Sequence, residues 1–109
     1  MHCPYLDYIE ETGVMKVVRS PKGFATYKIY GNECYIEDIY VLPEYRREKV
    51  ASLLADLVAE RARQNGCVML TGSVNLSRPD PSLSLKALIG YGMKFHSTKD
   101  EMAYYAKEL

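Results

Sequence analysis

The chain has 109 residues, and its 14 Lys+Arg balance 14 Asp+Glu. That makes one domain, residues 1–109, without the basic excess of a dedicated nucleic-acid binder. Hydrophobic residues at 48% and charged residues at 26% exclude a disordered chain, and no apolar run approaches the ~20 residues that cross a bilayer.

Pro4 to Thr12 reads as a short helix with Tyr5, Tyr8 and Ile9 on one face, closed by Gly13. Three strand-like runs follow. Val14 to Arg19 is β-branched, Ser20-Pro21-Lys22-Gly23 is a turn, and Phe24 to Tyr30 alternates. Gly31-Asn32 makes a second tight turn, and Glu33 to Leu42 gives a strand that Pro43 stops. Two short turns joining three strands predict an antiparallel meander. The period then changes. Val50, Leu53, Leu54, Leu57, Val58 and Ala62 predict an amphipathic helix that opens at about Arg47 and ends at Asn65-Gly66.

Cys67 to Val74 reads as a buried strand, so strand, helix and strand form a right-handed parallel crossover. A polar loop runs from Asn75 to Pro81. Ser82 to about Ile89 is a second helix with Leu83, Ala87 and Leu88 toward the sheet, broken by Gly90 and Gly92. Met93 to Ser97 and Met102 to Ala106 close the chain as a hairpin around Thr98-Lys99-Asp100-Glu101. The expected class is α/β (α+β): a mixed central sheet with a meander, a parallel crossover and a C-terminal hairpin.

Cys3, Cys34 and Cys67 are an odd set without metal-ligand spacing, which predicts free thiols in a reducing, cytoplasmic setting and no metal site. The N-terminus MHCPYLDYIEE lacks a signal-peptide core. Ser73 has no His/Asp partners nearby in sequence, and His96 stands alone, so both read as structural. Ten tyrosines without tryptophan suit half-buried strand positions.

The chemistry is expected where a strand ends at Val41-Leu42-Pro43, a polar loop Glu44-Tyr45-Arg46-Arg47-Glu48-Lys49 follows, and a helix opens. The first N–H groups of a helix have no internal partner and carry partial positive charge, so they can receive a phosphate. Arg46, Arg47 and Lys49 add three cations there. The alternative is a solvated charged face.

The run from Ile39 through Ala51 resembles the central motif of the GNAT superfamily of N-acyltransferases, in which a strand ending in Val-x-Pro-Glu-Tyr leads into Arg/Gln-x-x-Gly-x-Gly/Ala and a long helix. Lys86 to Met93 is similar to the family's later helix, and the order of elements also fits. The resemblance implies an acetyl-CoA-dependent N-acetyltransferase with an amine acceptor. Backbone groups of Ile39, Tyr40 and Val41 would pair with the pantetheine amides, along an edge left by two parallel strands splaying apart. Residues Arg46, Arg47, Glu48, Lys49, Val50 and Ala51 would hold the pyrophosphate. Asn75 would either contact the cofactor or start an Asx-turn.

A general base is expected from Glu37 or Asp38. Alternation places Glu37 on the face of Ile39 and Val41 and Asp38 opposite, an assignment that a β-bulge would reverse. Three positions depart from the family pattern. Lys49 stands where the first loop glycine is usual, Leu88 stands where a proton-donating tyrosine is usual, and the family's first strand and helix are not matched. These departures leave a non-catalytic binding module as the second reading, with Tyr27, Tyr30, Tyr35 and Tyr40 as an interaction surface. Homodimerisation through exposed apolar surface is a further expectation.

Overall fold

The computed structural model describes residues 3–77 and 81–109, with side chains described throughout except at 81–85. Loop residues 78–80, His2 and the expected inward position of Leu83 lie outside the described residues.

Helix α1 spans Pro4–Thr12, with proline at its first position and Gly13 in the left-handed region behind it (φ 69°). Both ends match the sequence expectation, because proline at N1 and glycine at C′ are the most position-specific signals a helix has. Its face differs. Leu6 and Ile9 are buried against Val17, whereas Tyr5 and Tyr8 are about half exposed.

Strands β1 (Lys16–Ser20), β2 (Gly23–Tyr30) and β3 (Glu33–Val41) form the meander. Helix α2 spans Val50–Gln64, followed by β4 (Met69–Asn75), α3 (Pro81–Gly90), β5 (Lys94–Lys99) and β6 (Met102–Glu108). The sheet order is β1-β2-β3-β4-β6-β5. Among the described residues, β3 and β4 pair in parallel and the other neighbours pair antiparallel. No helix among the described residues is long and apolar enough to cross a membrane.

Helix α2 lies on one face of the sheet and contributes more buried side chains to the core than any other helix among the described residues. Val50, Leu54, Val58, Ala59 and Ala62 are buried in one cluster with Ala25, Tyr27, Cys34, Ile36 and Leu70, and Ala55, also buried, lines the adjoining cleft. Each fully buried Leu or Val here contributes about 1.5–3 kcal/mol of transfer free energy. Leu53 and Leu57, expected inside, are 60% and 47% exposed. Three alanines take the inner ridge instead, so the helix backbone can approach the strands. The helix ends where expected. The N–H of Cys67 bonds Ala62 O (2.9 Å) and that of Gly66 bonds Arg63 O (3.0 Å), a Schellman pair that needs the positive φ of Gly66.

Candidate active site

The parallel contact between β3 and β4 is short. Glu33 to Ile36 pair with Met69 to Gly72, and there the ladder stops. Beyond it β3 continues along β2 alone, while Ser73 to Asn75 follow β6. A wedge therefore opens inside a continuous sheet. Its cause is visible in the register of β2 and β3. Tyr27 faces Ile36 while Thr26 faces Asp38, so Glu37 is the extra residue of a β-bulge. A bulge bends its strand and increases the local twist, which turns the end of β3 away from β4.

The bulge also fixes which residues face the wedge. Leu42 N–H bonds Lys22 O (2.9 Å). Counting back by the alternation of an antiparallel pair, Tyr40 directs its backbone groups to β2, and Ile39 and Val41 direct theirs to the open side. Side chains of Ile39 and Val41 pack toward α2, on the same face as Ile36.

Beside the wedge runs a cleft of 490 Å³ between α2 and the end of α3. Ile36, Ile39 and Val41 form its floor, and Leu88, Tyr91 and Met93 line the α3 side. At its mouth lie Arg46, Arg47 and Lys49, then Val50, Ala51 and Ser52. A larger hollow of 670 Å³ lies at the β1 edge between Gly13–Val17 and Tyr27–Tyr30; it touches neither the wedge nor the start of α2.

Helix α2 opens three residues later than the sequence suggests. After a 3₁₀ turn at Pro43–Tyr45 the chain extends at Arg46, and Arg47 (φ 69°) and Lys49 (φ 61°) both take left-handed conformations. Lys49 is the N-cap, and its side chain makes no capping bond. The ladder begins with Leu53 N–H to Lys49 O (3.2 Å), so the N–H groups of Val50, Ala51 and Ser52 precede it and point to the mouth of the cleft. Arg46 is drawn back over the strand end, its Nε donating to Val41 O (3.1 Å) and its guanidinium 5.8 Å from the Tyr40 ring. Glu48 lies 3.8 Å from Lys22 Nζ.

The two carboxylates end up together. Asp38 pairs with Thr26 on the face away from α2, and Glu37 reaches Lys28 Nζ at 3.3 Å on that same face. The expected separation of Glu37 from Asp38 is thus removed by the bulge. The hydrogen bond from Lys28 to Glu37 raises the lysine pKa, so the ammonium stays charged beside the carboxylate. Asn75 Oδ1 accepts from the Ser77 N–H (3.0 Å) and from Ser77 Oγ (2.6 Å), which is an Asx-turn. No group of three His, Cys, Asp or Glu side chains that could hold a metal ion occurs among the described residues.

Comparison with known proteins decides what this arrangement belongs to. The family model described as acetyltransferase (GNAT) family matches residues 3–79. The chain belongs to the GNAT family. A 48-residue stretch, 44% of the chain, is 45% identical to thialysine N-epsilon-acetyltransferase of Bos taurus and covers 27% of that relative. Among solved structures, a GNAT-family protein from Desulfovibrio desulfuricans superposes with a TM-score of 0.78 at 14% identity, over 94% of this chain and 75% of that one. The PaiA N-acetyltransferase from Thermoplasma acidophilum, solved in complex with coenzyme A, gives 0.75 at 17% identity, over 93% and 66%.

Within this GNAT fold, Leu88 is half-buried and faces β4, where a Cβ added to Gly72 would meet its Cδ2 at 3.3 Å. Glycine at 72 thus lets α3 settle onto the strand beside the wedge. Tyr91 ties the two walls of the cleft. Its hydroxyl donates to Asp56 Oδ1 of α2 (2.6 Å), and its carbonyl accepts from Lys107 Nζ of β6 (3.1 Å). Burial, then the bond to Asp56, pushes the Tyr91 hydroxyl well up from its ordinary value. Sequence reading missed this bridge, as it missed Lys28 beside Glu37. The second was readable from the hairpin register around Gly31-Asn32; the first depends on how α3 lies against α2.

Proposed function

We propose that residues 1–109 act as one acyltransferase domain that uses acetyl-CoA to acylate an amine by direct attack. The observation that carries this reading is the open wedge between β3 and β4, adjoining the unladdered N–H groups of Val50 to Ser52. An extended pantetheine arm would add to the exposed edge at Ile39 and Val41 as a strand adds to a sheet. Tyr40 contributes its ring beneath Arg46. The loop from Arg46 through Arg47, Glu48 and Lys49 to Val50 and Ala51 would hold the diphosphate by backbone N–H groups and by charge. Asn75 closes the opposite strand end as a turn and keeps its amide N–H groups for the arm.

A backbone N–H in the wedge would stabilise the oxyanion that develops as the amine attacks the thioester. Glu37 or Asp38 would take the amine proton, directly or through water. Leu88 offers no proton to the departing thiolate. Loss of a general acid costs about 10²–10⁴-fold and leaves transfer feasible, because a thiolate leaves without protonation. A cytoplasmic, reducing setting fits the three free thiols. Homodimerisation belongs to the same proposal, through exposed apolar side chains such as Phe95 and Leu57.

A second reading, a GNAT-fold binding module without chemistry, is favoured by Leu88 and by a lysine at the left-handed loop position 49. Isothermal titration with acetyl-CoA separates the two. Binding, followed by thiol release in the presence of amines, supports the enzyme; no binding at millimolar ligand removes it. Arg46→Ala is expected to weaken binding by roughly 1.5–3 kcal/mol, the worth of a charge-assisted contact to phosphate. Unchanged affinity would take Arg46 out of the site.

A further inference from the structure

On the face turned away from α2 and α3, the wedge carries a polar contact to which acyl transfer has so far assigned nothing. Tyr35 Oη and Ser73 Oγ hydrogen-bond to each other across the gap between β3 and β4. The register locates them. Ile36 with Gly72 is the last rung of the parallel ladder, Tyr35 lies one residue before it, and Ser73 one residue after. The two hydroxyls therefore sit at the apex of the wedge, both half-buried. Glu37 and Asp38 of β3 act electrostatically on Tyr35, as does Tyr104, which faces Ser73 from β6. Lys28 of β2 pairs with Tyr35 in the register and holds Glu37.

This position matters because the two faces of the wedge are not equivalent. On the acyl-transfer reading the carrier would enter from the cleft side, between α2 and α3. That would leave the far face for the acceptor, and the Tyr35 and Ser73 hydroxyls stand at its apex. Their mutual bond uses one of two O–H protons and leaves lone pairs free. Burial, partly offset by the hydrogen bond with Ser73, pushes the Tyr35 hydroxyl up from its ordinary value, so it stays a neutral phenol at working pH.

We propose that the Tyr35–Ser73 hydroxyl pair receives the acceptor amine and conducts its proton away, an inference that rests on the acyl-transfer reading above. The bound ammonium first yields a proton to the hydroxyl pair; the lone pair so freed forms the C–N bond to the thioester carbon, and the carbonyl π pair moves onto oxygen. As the carbonyl re-forms, the C–S bond breaks and its electron pair leaves on sulfur. The ammonium proton passes to Ser73 Oγ, the Ser73 proton to Tyr35 Oη, and the Tyr35 proton through water to Glu37 or Asp38; the second nitrogen proton leaves to solvent once the C–N bond has formed. Solvent protonates the thiolate and later takes the carboxylate proton. Amide and thiol result, with both hydroxyls restored.

The test uses the full chain, with thialysine, 1,3-diaminopropane and a short peptide with a free N-terminus as probe amines. Ser73→Ala and Tyr35→Phe are expected to lower kcat/KM for the amine by about 10²-fold while leaving acetyl-CoA affinity by titration unchanged. The deficit should shrink toward high pH, where the free amine needs no relay, and Ser73→Thr should restore the rate. An undiminished kcat/KM overturns the proposal. So does a deficit that is constant across pH and accompanied by weaker acetyl-CoA binding, which is the mark of a strand staple. Native protein that binds acetyl-CoA yet acetylates none of the probes also overturns it. Failure to bind acetyl-CoA at all overturns the acyl-transfer reading itself.

Discussion

Lys49 carries two opposed effects in one side chain. Its φ of 61° is a conformation that costs a non-glycine residue roughly 1–2 kcal/mol, yet the residue lines the cleft and brings a positive charge to it. Lys49→Gly should therefore raise stability by about 1 kcal/mol and weaken coenzyme A binding. Urea midpoints measure the first and titration the second. Tighter binding in the variant would mean that the side chain obstructs the diphosphate. Cys34 gives a residue-scale effect of another kind. Burial raises its thiol from 9.0 to about 12. Below pH 9 both folded and unfolded chains hold that proton. Above it the unfolded chain releases the proton first, so stability falls as pH climbs from 9 toward 12. Cys34→Ala should remove that part of the slope, read as the difference between native and variant urea midpoints across the pH series.

At the scale of the element, α2 offers a sharp contrast between neighbours. Leu54 is 1% exposed and Leu53 60% exposed. Leu54→Ala should cost about 2–5 kcal/mol, and Leu53→Ala about 0.5 kcal/mol or less, by chemical denaturation. Equal losses would restore the face that leucine periodicity suggests. That face was misread for a physical reason. Val50, Leu54 and Val58 form a ridge shared by two possible faces, and hydropathy favours the leucine flank over the alanine flank. Close approach to a sheet favours the alanines. Element order, both ends of α1 and the stop of α2 were legible, because Pro4, Gly13 and Asn65-Gly66 act locally. The bulge left a readable trace: Ile36-Glu37-Asp38-Ile39 breaks alternation with two adjacent acids. The Tyr35–Ser73 contact spans 38 residues, and no local pattern encodes a parallel register at that range.

At the scale of the molecule, the sheet is two three-stranded halves, β1-β2-β3 and β4-β6-β5, joined by four residue pairs. A ligand that lies in the wedge touches both. Saturating coenzyme A at a hundredfold excess over its Kd should stabilise the fold by about 2.7 kcal/mol, seen as a raised thermal midpoint. Hydrogen exchange should slow at Ile39 and Val41, the backbone groups that face the gap. A raised midpoint with no protection along this edge would place the ligand elsewhere.

The brevity of that four-rung ladder has a mechanical consequence. Beyond the ladder and α2, which packs against both halves, an occupant of the seam would add to their cohesion, and its departure would remove that share. Under the proposed acyl transfer, product escape would loosen that junction once per turnover.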